Sequence, residues 1–324
     1  MTLLAVPNVS EGRDPVAIAA IAAAFSGVSE PAVPDTGDGS RDGGRMPPRE
    51  RVRLLDTHSD ADHHRTVFTL AGPPAALGDA LLRGAAAALG RIELDRRAAA
   101  EVGQHPHVGA IDVVPLVYLD RAARGAACAE ALVVADRIGE ELGVPVFLYG
   151  ALADGRSRAE LRRGGTAGLA ERIGSGELRP DFGPRRPRPG AGATLVAARA
   201  PLVAFNLQLA APASVEDARR IAWLVREGGA EGLPGLRAIG VQLSGAVAQV
   251  SMNVERPLEL PLAEVVKAVA RHAEIASAEL VGLAPRAALE GFPEDVRLIG
   301  FDPARHVIER ALGYGAPAGT ADTA

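Results

Sequence analysis

Cysteine, aromatic residues, surplus charge and long apolar runs are all scarce in this chain. One cysteine, Cys128, stands in 324 residues, so no internal disulfide is available, and its alanine-rich helical surroundings mark it as a buried thiol. Aromatic side chains supply 3% of a sequence that is 48% hydrophobic, so alanine, valine and leucine must fill the cores. The formal net charge of −5 gives no basic field for nucleic acid, and no nucleic-acid-binding motif is present. No apolar run approaches the roughly 18 residues of a membrane helix. Residues 1–7 lack a basic segment and are too short an apolar stretch for a signal peptide. A cytoplasmic protein with neither membrane nor nucleic-acid partners is the expectation.

What is present reads as two α/β (α+β) units. Leu3 to Val6 is a short strand, and Asp14 and Pro15 then supply a helix cap and a first-turn proline. Ile18, Ile21, Ala22 and Phe25 keep helical spacing. Residues 29–50, rich in glycine, proline and charge, read as a flexible insertion. Strands are expected at Val52 to Asp56, Val67 to Ala71, Ile111 to Leu119 and Val144 to Tyr149. Helices are expected through Leu77, Leu81, Ala85 and Ala88, and from Cys128 to a stop at Gly143. Short helical pieces are expected near Ala159 to Arg163 and Leu169 to Ile173. In the second half, strands at Val203 to Leu209, Leu236 to Leu243, Ala248 to Val254 and Ala278 to Val281 enclose helices begun by Ser214 and Pro261. That order is β-α-β-β-α-β, a ferredoxin-like split unit. The first half repeats it with a helix and strand added. Two tandem ferredoxin-like units are expected, at 1–198 and 199–312, with a tail at 313–324.

Four stretches carry chemistry. In Gly103-Gln104-His105-Pro106-His107, the proline holds His105 extended, so His105 and His107 can share one face. The segment is either a turn with two solvated histidines or a site where an imidazole takes a proton and returns it near neutral pH. Pro7 to Arg13 follows a strand and precedes a helix, so it is either a plain connection or a loop that holds a carboxylate or another anion through its serine and backbone N–H groups. His58 to Thr66 gathers three histidines and two aspartates in a turn, with no metal-binding spacing, and Arg65 at the mouth of a strand either makes a surface ion pair or clamps a carboxylate. Pro180 to Gly192 is a long proline- and glycine-rich loop whose arginines either face solvent or meet a polyanionic tail. Asn206, Gln208, Gln249, Ser251 and Asn253 fall on the polar parity of their strands, either an ordinary solvent face or, since lysine and glutamate would be commoner there, one that meets a heterocycle or the other domain.

Taken in order, these segments resemble the formiminotransferase domain family. The resemblance rests on Val6-Pro7-Asn8-Val9-Ser10-Glu11-Gly12-Arg13, Asp62-His63-His64-Arg65-Thr66-Val67-Phe68-Thr69 and Gln104-His105-Pro106-His107-Val108-Gly109-Ala110-Ile111-Asp112. It continues through Leu142-Gly143-Val144-Pro145, Pro180-Asp181-Phe182-Gly183-Pro184, Ala204-Phe205-Asn206, Ala248-Gln249-Val250-Ser251-Met252-Asn253 and Phe301-Asp302-Pro303. The resemblance implies a homodimer whose active site lies in a cleft between two subdomains. It implies transfer of a formimino group from N-formimino-L-glutamate to N5 of tetrahydrofolate, a co-substrate, in histidine degradation and one-carbon metabolism, with no metal.

His105 takes the place of the family's catalytic histidine, acting as general acid and base. Asn8, Ser10, His64, Arg65, Thr66, His107, Asp112 and Asn206 are the expected substrate-binding residues, with Arg65 on a substrate carboxylate and Asp112 orienting or stabilising charge. Folate contacts are expected from Gly183, Pro184, Arg185, Gly190 and Gly192, and from Leu233, Arg237 and Gly240. The cyclodeaminase domain of the bifunctional relatives is expected to be absent. The family usually carries asparagine at His64 and often arginine-methionine at His107-Val108. Those departures keep open a formyl donor on the same scaffold and a folate-binding protein without turnover. A metal-dependent hydrolase using His63, His64, His105 and His107 is a third reading.

Overall fold

The computed structural model describes residues 1–27, 51–96 and 106–314. The 29–50 segment, His105 and residues 315–324 lie outside the described residues. The chain divides into two units, Met1–Ala200 and Pro201–Ala324.

The first unit begins with β1 (Leu3–Ala5) and β2 (Asn8–Val9), two pieces of one path either side of Val6-Pro7. Asp14 then caps α1 (Pro15–Ser26), accepting from the N–H groups of Val16 and Ala17, and Gly27 ends it in the left-handed conformation. β3 (Arg53–Asp60) and β4 (Arg65–Gly72) form a hairpin, followed by α2 (Ala76–Leu89), β5 (Ile111–Val117) and α3 (Arg124–Leu142). The polar run expected as a turn from His58 narrows to residues 61–64, because His58 to Asp60 pair with Val67 to Arg65 as strand. After Gly143 closes α3 at φ 64°, the chain forms β6 (Val146–Leu148), α4 (Arg158–Arg162), α5 (Gly165–Gly174) and β7 (Thr194–Arg199).

The sheet order is β3, β4, the β1/β2 path, β5, β7, β6. Both β5 and β6 lie parallel to β7. β7 is a strand the sequence pattern does not announce. Leu3, Phe68, Leu77, Leu81, Val114, Ala135 and Val196 belong to the core on one side. Phe147, Leu161, Leu169, Leu195 and Ala197 form a second cluster with α4 and α5. Cys128 is only half-buried against the first core, since its helix turns a solvent face there, with Leu132 and Val133 exposed.

The second unit follows the expected order: β8 (Val203–Leu209), α6 (Val215–Val225), β9 (Leu236–Gln242), β10 (Ala248–Val254), α7 (Leu262–Ala270), β11 (Ile275–Val281). A short β12 (Leu298–Ile299) adds to the edge, and α8 (Pro303–His306) and α9 (Ile308–Ala311) follow. The strand order is β12-β11-β8-β10-β9. β8, β9, β10 and β11 pair antiparallel, and β12 runs parallel to β11. Ser214 caps α6 in a reciprocal box with Asp217. Phe205, Leu207, Val250, Met252, Ile221, Val265 and Val269 make the core. The opposite parity carries Asn206, Gln208, Gln249, Ser251 and Asn253, as alternation along a sheet with one apolar face requires.

Candidate active site

The site of the first unit is built around the β3–β4 turn. Val9, Ser10, His63, His64, Arg65, His107 and Asp112 line a small, shallow polar pocket. Three segments far apart in sequence meet there because β2 lies between β4 and β5, with Val9 opposite Thr66 on one side and Ile111 on the other. Side-chain and backbone bonds hold the Ser10–Arg13 loop down. Ser10 Oγ donates to the Gly109 carbonyl at 2.7 Å, and Thr66 Oγ1 to the Glu11 carbonyl at 2.5 Å. Gly12 is required at its place: a Cβ there would lie 2.2 Å from the Asp60 carbonyl oxygen and 2.6 Å from the Arg65 nitrogen.

His64 closes the turn at φ 48°, a left-handed conformation in which asparagine is several-fold enriched. Its Nδ1 accepts from the Gly12 N–H at 3.1 Å, which leaves the ring proton on Nε2. His63 is 3% exposed. Its backbone N–H donates to Asp60 Oδ1 at 2.8 Å, and its ring Nδ1 meets Asp60 Oδ2 at 2.7 Å. Burial alone would raise the Asp60 carboxyl, but the ring and backbone hydrogen bonds of His63, with the positive charges of His63 and Arg65, hold it down at about 2. His63 Nε2 is buried and has no hydrogen-bond partner among the described residues. Leaving such a group unmade costs roughly 1–3 kcal/mol.

Asp112 sits at the base of the pocket, 2% exposed. Its Oδ1 accepts from the Val108 N–H at 2.8 Å, and its Oδ2 pairs with Arg162 of α4. Asp112 therefore anchors the segment that carries His107. Arg65 has no hydrogen bond or ion pair to its guanidinium among the described residues. Desolvation, and then the positive charge of Arg162, lower it to about 10. It remains a cation at neutral pH. A desolvated cation without an acceptor, at the lip of a pocket, is a place for an anionic ligand. Among the described residues no group of three or more His, Cys, Asp or Glu side chains is arranged to hold a metal ion.

Residues 2–199 match the model of the formiminotransferase domain, N-terminal subdomain. The chain belongs to the formiminotransferase family, and it is a transferase. It is 35% identical over 271 residues to a glutamate formimidoyltransferase of Streptococcus pyogenes serotype M1, covering 81% of this chain and 89% of that one. A glutamate formimidoyltransferase of Thermoplasma acidophilum is 30% identical over 319 residues, 95% of this chain and 96% of that one. A formimidoyltransferase-cyclodeaminase of Gallus gallus is 36% identical over 250 residues, 73% of this chain but 45% of the longer protein.

Within the formiminotransferase framework, the residues named from sequence fall into three places. Ser10, His64, Arg65, His107 and Asp112 line the one pocket. Thr66 lies beneath it, and Asn8 is spent on its own turn, donating from Nδ2 to the Val6 carbonyl at 2.9 Å. The 183–192 loop packs on α3 and on Val108, next in sequence to the pocket-lining His107. Gly183 packs its backbone against Gly139 of α3, Gly192 against Val108, and Gly190 donates to Asp95 Oδ2 at 2.7 Å. Pro184 is half-buried and Arg185 exposed.

Asn206, Leu233, Arg237 and Gly240 belong to the second unit. Asn206 Nδ2 donates to Glu279 Oε2 at 2.9 Å. Arg237 pairs with Glu227 at 3.3 Å and Glu255 at 3.5 Å. Leu233 packs on the core, and Gly240 lets α6 approach β9. Gln249, 1% exposed, has neither amide atom partnered among the described residues. The sequence reading passed over His63 except as a metal ligand, and missed Arg162. The Asp60–His63 spacing of three in a turn was the available signal for the first. The second had none, since Arg162 and Asp112 are 50 positions apart.

Proposed function

We propose that the protein transfers the formimino group of N-formimino-L-glutamate to N5 of tetrahydrofolate, giving 5-formiminotetrahydrofolate and L-glutamate. The observation that carries this reading is the Arg65 guanidinium, desolvated and without an acceptor beside imidazoles in one pocket. A glutamate carboxylate is the group it suits, through two parallel hydrogen bonds.

In the reaction, N5 attacks the formimino carbon and a tetrahedral intermediate forms. His105, two residues before the pocket-lining His107, is the general base that takes the N5 proton and the acid that serves the departing nitrogen. Such help is worth about 10²–10⁴-fold, and holding both substrates in place contributes at least as much. Asp112 and Arg162 support this by fixing the segment that follows His105. Gly183 to Gly192 and Leu233 to Gly240 are the folate contacts of this reading, and a cytoplasmic homodimer is its setting.

The test mixes the purified protein with tetrahydrofolate and N-formimino-L-glutamate, acidifies, and reads the absorbance of 5,10-methenyltetrahydrofolate. Signal from the wild type and none from His105→Ala is the expected result. Transfer from N-formylglutamate alone would replace the donor. Folate binding with no transfer from either donor would refute the enzyme reading.

A further inference from the structure

The β3–β4 turn contains a second proton-transfer device that the reading above does not use. His63 grips both oxygens of Asp60, one through its backbone N–H at 2.8 Å and one through ring Nδ1 at 2.7 Å. The ring is thereby fixed in orientation, with Nδ1 as the atom facing the carboxylate. The opposite atom, Nε2, is buried, belongs to a pocket-lining side chain and meets no partner among the described residues. One ring nitrogen is satisfied by a carboxylate, and the other is a buried group without a partner among the described residues, on a side chain that lines the pocket. The carboxylate behind Nδ1 stabilises the charge the ring carries when Nε2 also holds a proton, the arrangement by which an aspartate orients a working histidine.

We propose that His63 is a second catalytic residue of this site, that it replaces His105 as the acid that protonates the leaving nitrogen and leaves His105 the base alone, and that Asp60 is its positioning residue. The proposal rests on the formimino-transfer reading. As the acceptor nitrogen bonds to the formimino carbon, the C=N electron pair moves onto the formimino nitrogen and His105 takes the proton that the acceptor sheds. The bond from that carbon to the glutamate nitrogen then breaks. Its electron pair stays with the departing nitrogen, which takes the proton from Nε2 of the His63 imidazolium, and the C=N bond closes again. His105 gives its proton to solvent and His63 takes one from solvent before the next cycle, so the proton count closes and no oxidant, reductant or further reactant is needed. Dividing the two transfers between two rings removes the need for one ring to serve both the attacking and the leaving nitrogen.

The experiment compares the full-length wild type with His63→Gln, Asp60→Asn and His63→Gly in the transfer assay, alongside thermal melting and folate binding. For His63→Gln, kcat falls about 10²–10⁴-fold, while KM for both substrates stays within about threefold, as expected when an interaction made only in the transition state is lost. Asp60→Asn lowers kcat by a smaller factor, again with KM held. Added imidazole restores part of the turnover of His63→Gly, a rescue that a merely structural histidine would not give. A wild type that transfers while His63→Gln keeps more than half its kcat overturns this proposal alone. So does a melted or folate-blind His63→Gln combined with no imidazole rescue of His63→Gly. A wild type that transfers nothing overturns the formimino reading and this proposal with it.

Discussion

Arg162→Met should weaken the first unit more than an ordinary arginine replacement on a short helix. Asp112 is 3% and Arg162 12% exposed at the side chain. The carboxylate keeps one backbone donor, the Val108 N–H, after the arginine is removed. Breaking a buried pair from one side costs about 3–5 kcal/mol, and the surviving hydrogen bond places this case at the lower end, about 3 kcal/mol. For a folding unit of this size each kcal/mol moves the midpoint by about 2–4 °C, so the transition should fall by about 6–12 °C. Replacing both partners, with Asp112→Asn added, removes the stranded charge and should recover about 2 kcal/mol of that loss, the signature of coupled neighbours.

A second readout follows from the charges. Arg65 is electrostatically coupled to both Arg162 and Asp112. Once Arg162 is gone, the freed carboxylate competes for Arg65, and the KM of the glutamyl donor should rise about tenfold, an energy of about 1.4 kcal/mol. Urea and thermal unfolding give the first quantity and initial rates the second. A loss under about 1 kcal/mol, with no coupling in the double variant, would mean that solvent screens the pair and would refute the reasoning.

Three further outcomes are expected. Asp60 titrates at about 2 in the folded protein against an ordinary 3.8; its contribution, about 2 kcal/mol by linkage, is complete above the unfolded value and disappears as pH falls through the folded one. Asp60→Asn should therefore lose stability at neutral pH and show a flatter acid-unfolding curve below about pH 4, and identical curves would contradict the lowered titration. Gly12→Ala forces a methyl against two backbone atoms of the β3–β4 hairpin, so calorimetry should find it destabilised by about 1–3 kcal/mol, with turnover reduced because the loop carrying Ser10 moves. Arg65→Gln should raise the KM of the donor by roughly one to two orders of magnitude, the loss of a charged hydrogen-bonding partner, and leave the KM of tetrahydrofolate near its wild-type value; an unchanged donor KM would remove Arg65 from the carboxylate.

Local chemistry was legible where a residue acts on its own neighbours. Asp14, Ser214 and Gly143 mark helix ends by what their side chain or φ does within a few positions, and each stands where its residue type predicts. Alternation placed the strands of the second unit because one face of that sheet is apolar and the other carries amides. The same rule failed at β7. Thr194 to Ala198 are all buried, with Val196 and Ala198 in one core and Leu195 and Ala197 in the other. A strand covered on both faces has no period of two to detect.

Polarity misled in the opposite direction at His58 to Asp60, which look like loop but pair as β3, a strand hydrogen-bonded on one side only among the described residues; there polar side chains are ordinary. The site divides along the same line. Arg65 could be singled out because a lone arginine opening an apolar strand is locally anomalous. The pairing of Asp112 with Arg162 could not, since sheet and helix packing alone bring those residues together. His63 lies between the two cases. The residues that define its role are three positions apart, but only with the pairing of β3 and β4 fixed does a cluster resembling metal ligands become an aspartate-held imidazole whose second nitrogen is buried without a partner among the described residues.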